Sequence, residues 1–374
     1  MAWNGEVSGC PRPKTTDAPP PAPETDAPPK TTKEAVLLIG GVVKTADDKS
    51  ESTREIYAFD PKERSFAKWE GGETLIGRAG HLAISADQKL IVSGGRQRVA
   101  ADGSATDLFS TEIHDGEQFQ LGAQQGEEEA SDTKAKRHLS PLSAKALPVG
   151  QGSVRVGDKI YACGGHGKAT AEDAPTESDE CEVFSLTEGK WSPLPTRMPH
   201  AVAYPAMAYD GSRFIYVLGH YFKKRDNYGW FQRLDLQSNE WTDLVKMPLD
   251  MACYPSVLIR EKHLYVCGNN CRGSRGALKC GAYFFESPEA WRMDGAKELK
   301  QNKKMLRAPM VDCAGETIAF PFRSSKIPDG APSVEIFDRT KPDGGEWTPV
   351  EGVSIPQSAT FFATVCHKYE VSGQ

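Results

Sequence analysis

Five apolar segments of this chain stop at glycine, and they do so at nearly even spacing. AVLLIGG ends in Gly40 and Gly41, LIVSGG in Gly94 and Gly95, IYACGG in Gly164 and Gly165, while FIYVLGH carries Gly219 and HLYVCGN carries Gly268. The first glycines of the series lie 54, 70, 55 and 49 residues apart. A second marker keeps the same period: Trp191, Trp241, Trp291 and Trp347 follow one another at 50, 50 and 56 residues, and Trp69 closes the first unit. Two residue types sharing one period near 50 mean that a structural unit repeats along the chain. In each unit an apolar strand ends at glycine, a polar loop follows, and another strand runs to an acidic turn and the aromatic residue. Glycine supplies the positive φ at which the chain leaves the strand, and tryptophan supplies area for packing one unit on the next.

A double glycine after an aromatic-rich strand at this period resembles the kelch repeat, in which each unit is one four-stranded propeller blade. The best copies are GDKIYACGG with ECEVFSLTEGKW, and GSRFIYVLGH with FQRLDLQSNEW. Six units can be counted: Ala35 to Trp69, Arg78 to Leu121 with Phe119 near the tryptophan position, His138 to Trp191, Arg197 to Trp241, Met247 to Trp291, and Lys304 to Trp347. The long step falls on the insert GAQQGEEEASDTKAKR, read as a solvated loop, and in the sixth unit Pro321 and Phe322 replace the glycines. The first unit lacks the strand that precedes the glycine strand elsewhere. SATFFATVCHKY has that strand's character, as AVAYPAMAY and MACYPSVLI do, so the C-terminal strand is expected to complete the first blade and leave no open edge. The resemblance implies an all-β fold: a monomeric six-bladed kelch-type β-propeller over residues 35–374, closed by a C-terminal strand, with no BTB or BACK region attached. Residues 1–34 hold eight prolines and TTDAPPPAPETDAPPKTT. With almost nothing to bury they cannot repay their ordering entropy, and they read as a disordered Pro/Thr-rich tail or linker.

Of nine cysteines, four occupy matching places. Cys163 and Cys267 each directly precede a glycine turn, and Cys181 and Cys280 each open the following strand. Opposite residues of antiparallel neighbours lie roughly 5 Å apart, within disulfide range, so the pairs Cys163–Cys181 and Cys267–Cys280 are expected. Structural disulfides persist in oxidising compartments, which points outside the cell. The opening MAWNGEVSGC has no signal-peptide character, and free thiols in a cytoplasmic propeller are the alternative. A zinc site from Cys267, Cys271, Cys280 and His263 would need a C-x3-C-x8-C spacing that matches no standard pattern. The pairing of Cys10, Cys253, Cys271, Cys313 and Cys366 stays open.

Lys and Arg number 45 against 51 Asp and Glu, a formal charge of −6, which removes the bulk basicity of a general nucleic-acid binder. No run of about 18 apolar residues offers a membrane span. There is no P-loop, G-x-S-x-G, H-E-x-x-H or Asp-box series, so no catalytic, cofactor-binding or metal residue is assigned and no cofactor is expected. A metal-dependent propeller enzyme, galactose-oxidase-like or iron-dependent, would need histidines and tyrosines grouped about the axis; His166, His200 and His220 are the best candidates for such a ring site.

The stronger signal is in the loops after the glycines. HYFKKRDNYGW (220–230), NNCRGSRGALK (269–279) and FRSSK (322–326) are basic and aromatic, whereas GKATAEDAPTESDE in the third unit is acidic. Arginine and aromatic side chains anchor interfaces because they bury area and donate in pairs. His220, Tyr221, Lys223, Lys224, Arg225, Tyr228, Trp230, Arg272, Arg275 and Arg323 are therefore the expected interaction surface of blades 4 to 6. Its expected ligand is an acidic protein segment or an anionic glycan, bound without catalysis. An intracellular kelch scaffold is the remaining alternative. Arg78 and Arg197, at matching strand starts, read equally well as structural ion-pair partners.

Overall fold

The computed structural model describes residues 31–47, 49–121, 149–166, 177–220, 229–270, 278–287, 291–293, 299, 307–321, 334–338, 340, 345–356 and 362–371. They form six four-stranded antiparallel sheets. Blade 1 has the strand order Ala363–Val371, Thr31–Ile39, Ile56–Asp60, Ser65–Lys68. Blade 2 runs Leu82–Ala86, Lys89–Ser93, Thr111–His114, Phe119–Leu121, and blade 3 runs Gly152–Val156, Lys159–Cys163, Cys181–Ser185, Lys190–Pro193. Blade 4 is Ala203–Tyr209, Phe214–His220, Gly229–Asp235, Glu240–Asp243; blade 5 is Cys253–Ile259, His263–Asn269, Lys279–Phe284, Trp291–Arg292. Blade 6 is Met310–Cys313, Glu316–Ala319, Glu335–Asp338, Glu346–Pro349. The first strand of every blade contacts the first strands of both neighbours, and blade 6 returns to blade 1. The sheets thus stand around an axis as a six-bladed propeller. Among the described residues the only helical element is the 3-10 turn Leu249–Met251, so no helix there is long and apolar enough to cross a membrane.

Six hydrophobic clusters hold the ring, one at each junction between blades. Val36, Leu38 and Phe59 of blade 1 pack on Ile318, Phe320 and Ile336 at blade 6. Ala208, Tyr216 and Phe231 of blade 4 meet Leu264, Val266 and Tyr283 of blade 5 in the same way. Because each blade is covered on both faces, its second strand carries a continuous apolar run rather than an alternation: in Phe214–His220, five of the six residues from Ile215 on are hydrophobic or glycine, and all six are buried. The closing aromatics work across these junctions. Trp191 Nε1 donates to Thr111 Oγ1 of blade 2 at 2.9 Å, and Trp347 Nε1 donates to the Tyr265 hydroxyl of blade 5 at 3.0 Å. Trp69 is a correction. Register places Phe66, opposite Phe59, where Trp191 lies opposite Phe184, so Phe66 fills the repeat position and packs toward Phe320 of blade 6. Trp69 lies three residues further on and packs against His114 and Phe119 of blade 2 instead.

The glycines divide into two kinds. Gly40, Gly41, Gly94, Gly95, Gly164 and Gly165 all have positive φ, as the turn requires. Gly219 and Gly268 do not: the strands run straight through them to His220 and Asn269. There glycine is needed for space, since a Cβ on Gly268 would lie 2.0 Å from the Met251 carbonyl oxygen.

Ring closure follows the expected route. Thr31–Ile39 pairs with Ala363–Val371 from Thr31↔Val371 to Ile39↔Ala363. The paired strand starts four residues before Ala35, because Thr31 to Glu34 join mainly through backbone and their side chains stay exposed, leaving no apolar signal. Cys163–Cys181 and Cys267–Cys280 are bonded across adjacent strands as expected. A third disulfide, Cys313–Cys366, joins the first strand of blade 6 to the first strand of blade 1, and Cys253 is disulfide-bonded as well. Removing the 53-residue closure by Cys313→Ser with Cys366→Ser should cost up to about 4 kcal/mol of unfolding free energy in the chain-entropy picture. Denaturant titration of the oxidised proteins measures it, and unchanged stability would show that strand pairing alone keeps the ring shut.

Candidate functional site at the mouth of the axial channel

The second strands end, and the first strands begin, on one face of the ring. There the chain pairs Ala79 with Arg96, Val149 with His166, Ala203 with His220 and Cys253 with Asn269. Arg96, His166, His220 and Asn269 therefore hold one equivalent position in blades 2 to 5. The residue after each inner partner is Gly80, Gly150, Tyr204 or Tyr254, and all four have positive φ, 63°, 69°, 46° and 50°. Glycine takes that conformation freely, whereas each tyrosine costs of order 1–3 kcal/mol. In blades 4 and 5 the ladder slips beside it, between Ala203 and Ala206 and between Cys253 and Ser256.

The tyrosine rings occupy room that glycine leaves. A Cβ on Gly150 would sit 2.2 Å from Tyr204 Cδ1. The Tyr204 ring centroid is 4.9 Å from that of Tyr254 and 5.7 Å from that of His166. His220 lies parallel to Tyr204 at 6.5 Å and edge-on to Tyr254 at 5.5 Å. Arg307, three residues before the first strand of blade 6, acts on both tyrosines of this group. Its Nε is buried without a hydrogen-bond partner among the described residues, and the ionisable groups acting on it there are Tyr204 and Tyr254.

Electrostatically the mouth is simple. Burial, aided by His166, pulls His220 down to about 3, so its ring is neutral at pH 7. Burial raises the Tyr254 hydroxyl to about 12 and raises Tyr204 too, so both stay protonated. Burial also lowers Arg307 from its usual high value, but a guanidinium has ample margin to remain charged. Arg96 donates from Nε to Asp107 Oδ1 at 2.6 Å within the small ribbon formed by Arg96–Arg98 and Ala105–Asp107. Its charge is thereby compensated locally.

The expected surface residues are distributed as follows. His220 is corrected from surface contact to buried channel residue: it is 1% exposed, because its strand continues to it instead of releasing it into the loop. Trp230 lies in the third strand of blade 4, half-buried, stacked on His200 at 3.4 Å with the Lys246 ammonium 4.8 Å from its ring centre. Tyr221, Lys223, Lys224, Arg225, Tyr228, Arg272, Arg275 and Arg323 lie outside the described residues. Of the three histidines singled out, His166 and His220 converge and His200 does not; its Nε2 is 3.0 Å from Asp243 Oδ2. Among the described residues the one grouping of three His, Cys, Asp or Glu ligand atoms is Glu34 with Cys313 and Cys366, whose sulfurs are bonded to each other. Arg78 is structural: fully buried, it ion-pairs with Glu112 and donates to the carbonyls of Gly94 and Ser110, while Glu112 accepts from the N–H groups of Leu75 and Ile76. Arg197 is exposed and ion-pairs with Asp179 and Glu180. Tyr204, Tyr254 and Arg307 went unnoticed as site residues. The repeated Tyr-Pro of AYP and CYP at one phase is the signal for the two tyrosines.

Beside Gly80, His81 is 6% exposed and neither ring nitrogen has a partner among the described residues. Burial, with the Arg78 charge adding to it, lowers it to about 3. A histidine neutral when folded but protonated when unfolded below about 6.5 loses stability as pH falls from there toward 3, by up to about 1.4 kcal/mol per pH unit. His81→Gln should therefore flatten the fall in urea midpoint between pH 6 and pH 4. An unchanged profile would mean that the ring titrates as freely folded as unfolded.

Residues 148–198 match the Kelch motif, a span that contains all four strands of blade 3 and Trp191. The match and the six-bladed ring agree on a kelch repeat built as a β-propeller. A comparison with curated proteins finds no match.

Proposed function

We propose that the glycine-turn face of this propeller is a noncatalytic docking surface for an acidic protein segment, working outside the cell. Kelch propellers serve generally as interaction modules, and the three disulfides between described residues, with Cys253 bonded as well, suit an oxidising compartment. The observation that carries the reading is the placement of charge. The strands that lead into KKR at 223–225 and into Arg272 and Arg275 end at His220 and Asn269, on the face that also presents Arg307. Lysine and arginine that follow these strand ends in sequence, on the side of the ring where Arg307 lies, favour a partner that brings carboxylates, and Trp230 adds aromatic area.

Poly-L-glutamate and heparin, titrated against the whole chain over a range of salt, test this reading. The polypeptide should bind and the glycan should bind more weakly. Lys223→Ser with Lys224→Ser and Arg225→Ser should weaken the polypeptide about tenfold, three surface charges at ~0.5 kcal/mol each, and lower its salt dependence. The thermal midpoint should hardly move, since surface changes stay within about 0.5 kcal/mol. Undiminished binding by the triple variant, or preference for heparin, would remove the acidic-segment reading.

A further inference from the structure

The channel mouth itself carries a cation among aromatic rings. Its inner wall is two tyrosine rings 4.9 Å apart, flanked by His166 and His220 and backed by Arg307. Among the described residues no carboxylate acts on that guanidinium, and its Nε is buried with no acceptor. Arg307 is half-buried as a residue, and a guanidinium with one nitrogen shut off from water is costly to keep unless it is paired. The sequence places no Asp or Glu at the matching inner positions, which are Ala79, Val149, Ala203 and Cys253, nor at the next ones, Gly80, Gly150, Tyr204 and Tyr254. The strained φ of Tyr204 and Tyr254 is kept in two consecutive blades, and in both it turns an aromatic ring into the same space.

We propose that this mouth is an anchoring subsite, in which Arg307 and the Tyr254 hydroxyl hold one carboxylate of the acidic segment against the Tyr204 ring. The subsite rests on the acidic-segment reading above and adds to it the position and stoichiometry of the anchor. A guanidinium presents two parallel N–H donors that fit the two oxygens of a carboxylate. With the Tyr254 hydroxyl protonated it is a third donor, and with His220 neutral the mouth holds one uncompensated positive charge. One charge suits a single carboxylate; a dianion such as phosphate would leave a negative charge stranded among aromatic rings. Gly150, which carries no side chain, lets the Tyr204 ring lie directly against the backbone, so the ring is held in place as a wall of the subsite. Arg98, close enough to act on Tyr204, adds attraction beside it.

The probes are the capped tripeptide acetyl-Ala-Glu-Ala-amide, its Gln counterpart and poly-L-glutamate, titrated by calorimetry against the full chain. The Glu tripeptide should bind at least about tenfold more tightly than the Gln tripeptide, the range expected for hydrogen bonds to a charged group. Arg307→Gln should erase that preference, Arg307→Lys should keep part of it, and Tyr254→Phe should weaken the Glu tripeptide several-fold while leaving the Gln tripeptide unchanged. The Lys223, Lys224, Arg225 triple serine variant should bind the tripeptide as the parent does. Equal binding of the two tripeptides, or a preference that survives Arg307→Gln in a protein whose thermal midpoint is unchanged, would overturn the subsite. If poly-L-glutamate binds the parent and Arg307→Gln alike but fails with the triple variant, the subsite falls and the loop reading stands. If the tripeptide shows its Arg307-dependent preference and poly-L-glutamate does not bind, the loop reading falls and the carboxylate site remains.

Discussion

The pairing of Thr31–Ile39 with Ala363–Val371 is the constraint on which the rest of the ring depends. Every other blade is formed from consecutive strands and could assemble locally. Blade 1 needs both ends of the chain, and its junction with blade 6 is where Val36, Leu38 and Phe59 find Ile318, Phe320 and Ile336. Without closure that apolar surface faces water on two blades at once, at roughly 2 kcal/mol for each large side chain, against a net stability of the order of 10 kcal/mol for a folded domain. Opening the ring is therefore close to unfolding it. The Cys313–Cys366 bond adds a covalent tie at the same junction, between the first strands of blades 6 and 1.

What was legible in the sequence is what each blade repeats. The glycine turns, the aromatic at the outer strand and the two matched cysteine pairs recur at fixed phase, and a repeated unit reports its own register. What was not legible joins different blades. Cys313 and Cys366 are 53 residues apart and have no counterparts elsewhere in the repeat, so nothing in the spacing couples them. Trp69 resembles a repeat tryptophan by position along the chain, yet Phe66 does that work, because opposite residues on paired strands, and not residue type, decide which side chain faces the neighbouring blade. Thr31 to Glu34 pair without burying anything, so hydrophobic pattern cannot see them.

The axial site was hidden for a related reason. His166, His220, Tyr204, Tyr254 and Arg307 are spread over about 140 residues of sequence, and each looks like an ordinary strand-end residue in its own blade. A propeller brings equivalent strand ends to one point on the axis, so chemistry accumulates there from positions that share no local motif. The departure from regularity is what gives the mouth its shape. Blades 2 and 3 use two glycines after the second strand and a glycine at the inner positive-φ position; blades 4 and 5 use one glycine, run straight on to His220 and Asn269, and place tyrosine at the inner position. Gly150 of one half therefore leaves room that the Tyr204 ring of the other half fills.

That asymmetry explains how a chain with a formal charge of −6 can present a cation where it matters. Net charge acts over distances that salt cuts to about 8–10 Å, so a ligand at the mouth responds to the groups that line it and hardly to acidic residues on the outer strands. The lining is kept free of compensating charge by burial: His220 is held neutral and the two tyrosines protonated, leaving Arg307 as the unbalanced group among the described lining residues. Low-dielectric walls of aromatic rings and backbone then strengthen its field along the axis. The same burial that makes Arg307 expensive to keep without a partner makes an incoming carboxylate more strongly held, and the cost is tolerable because six interblade cores, and not the mouth, stabilise the fold.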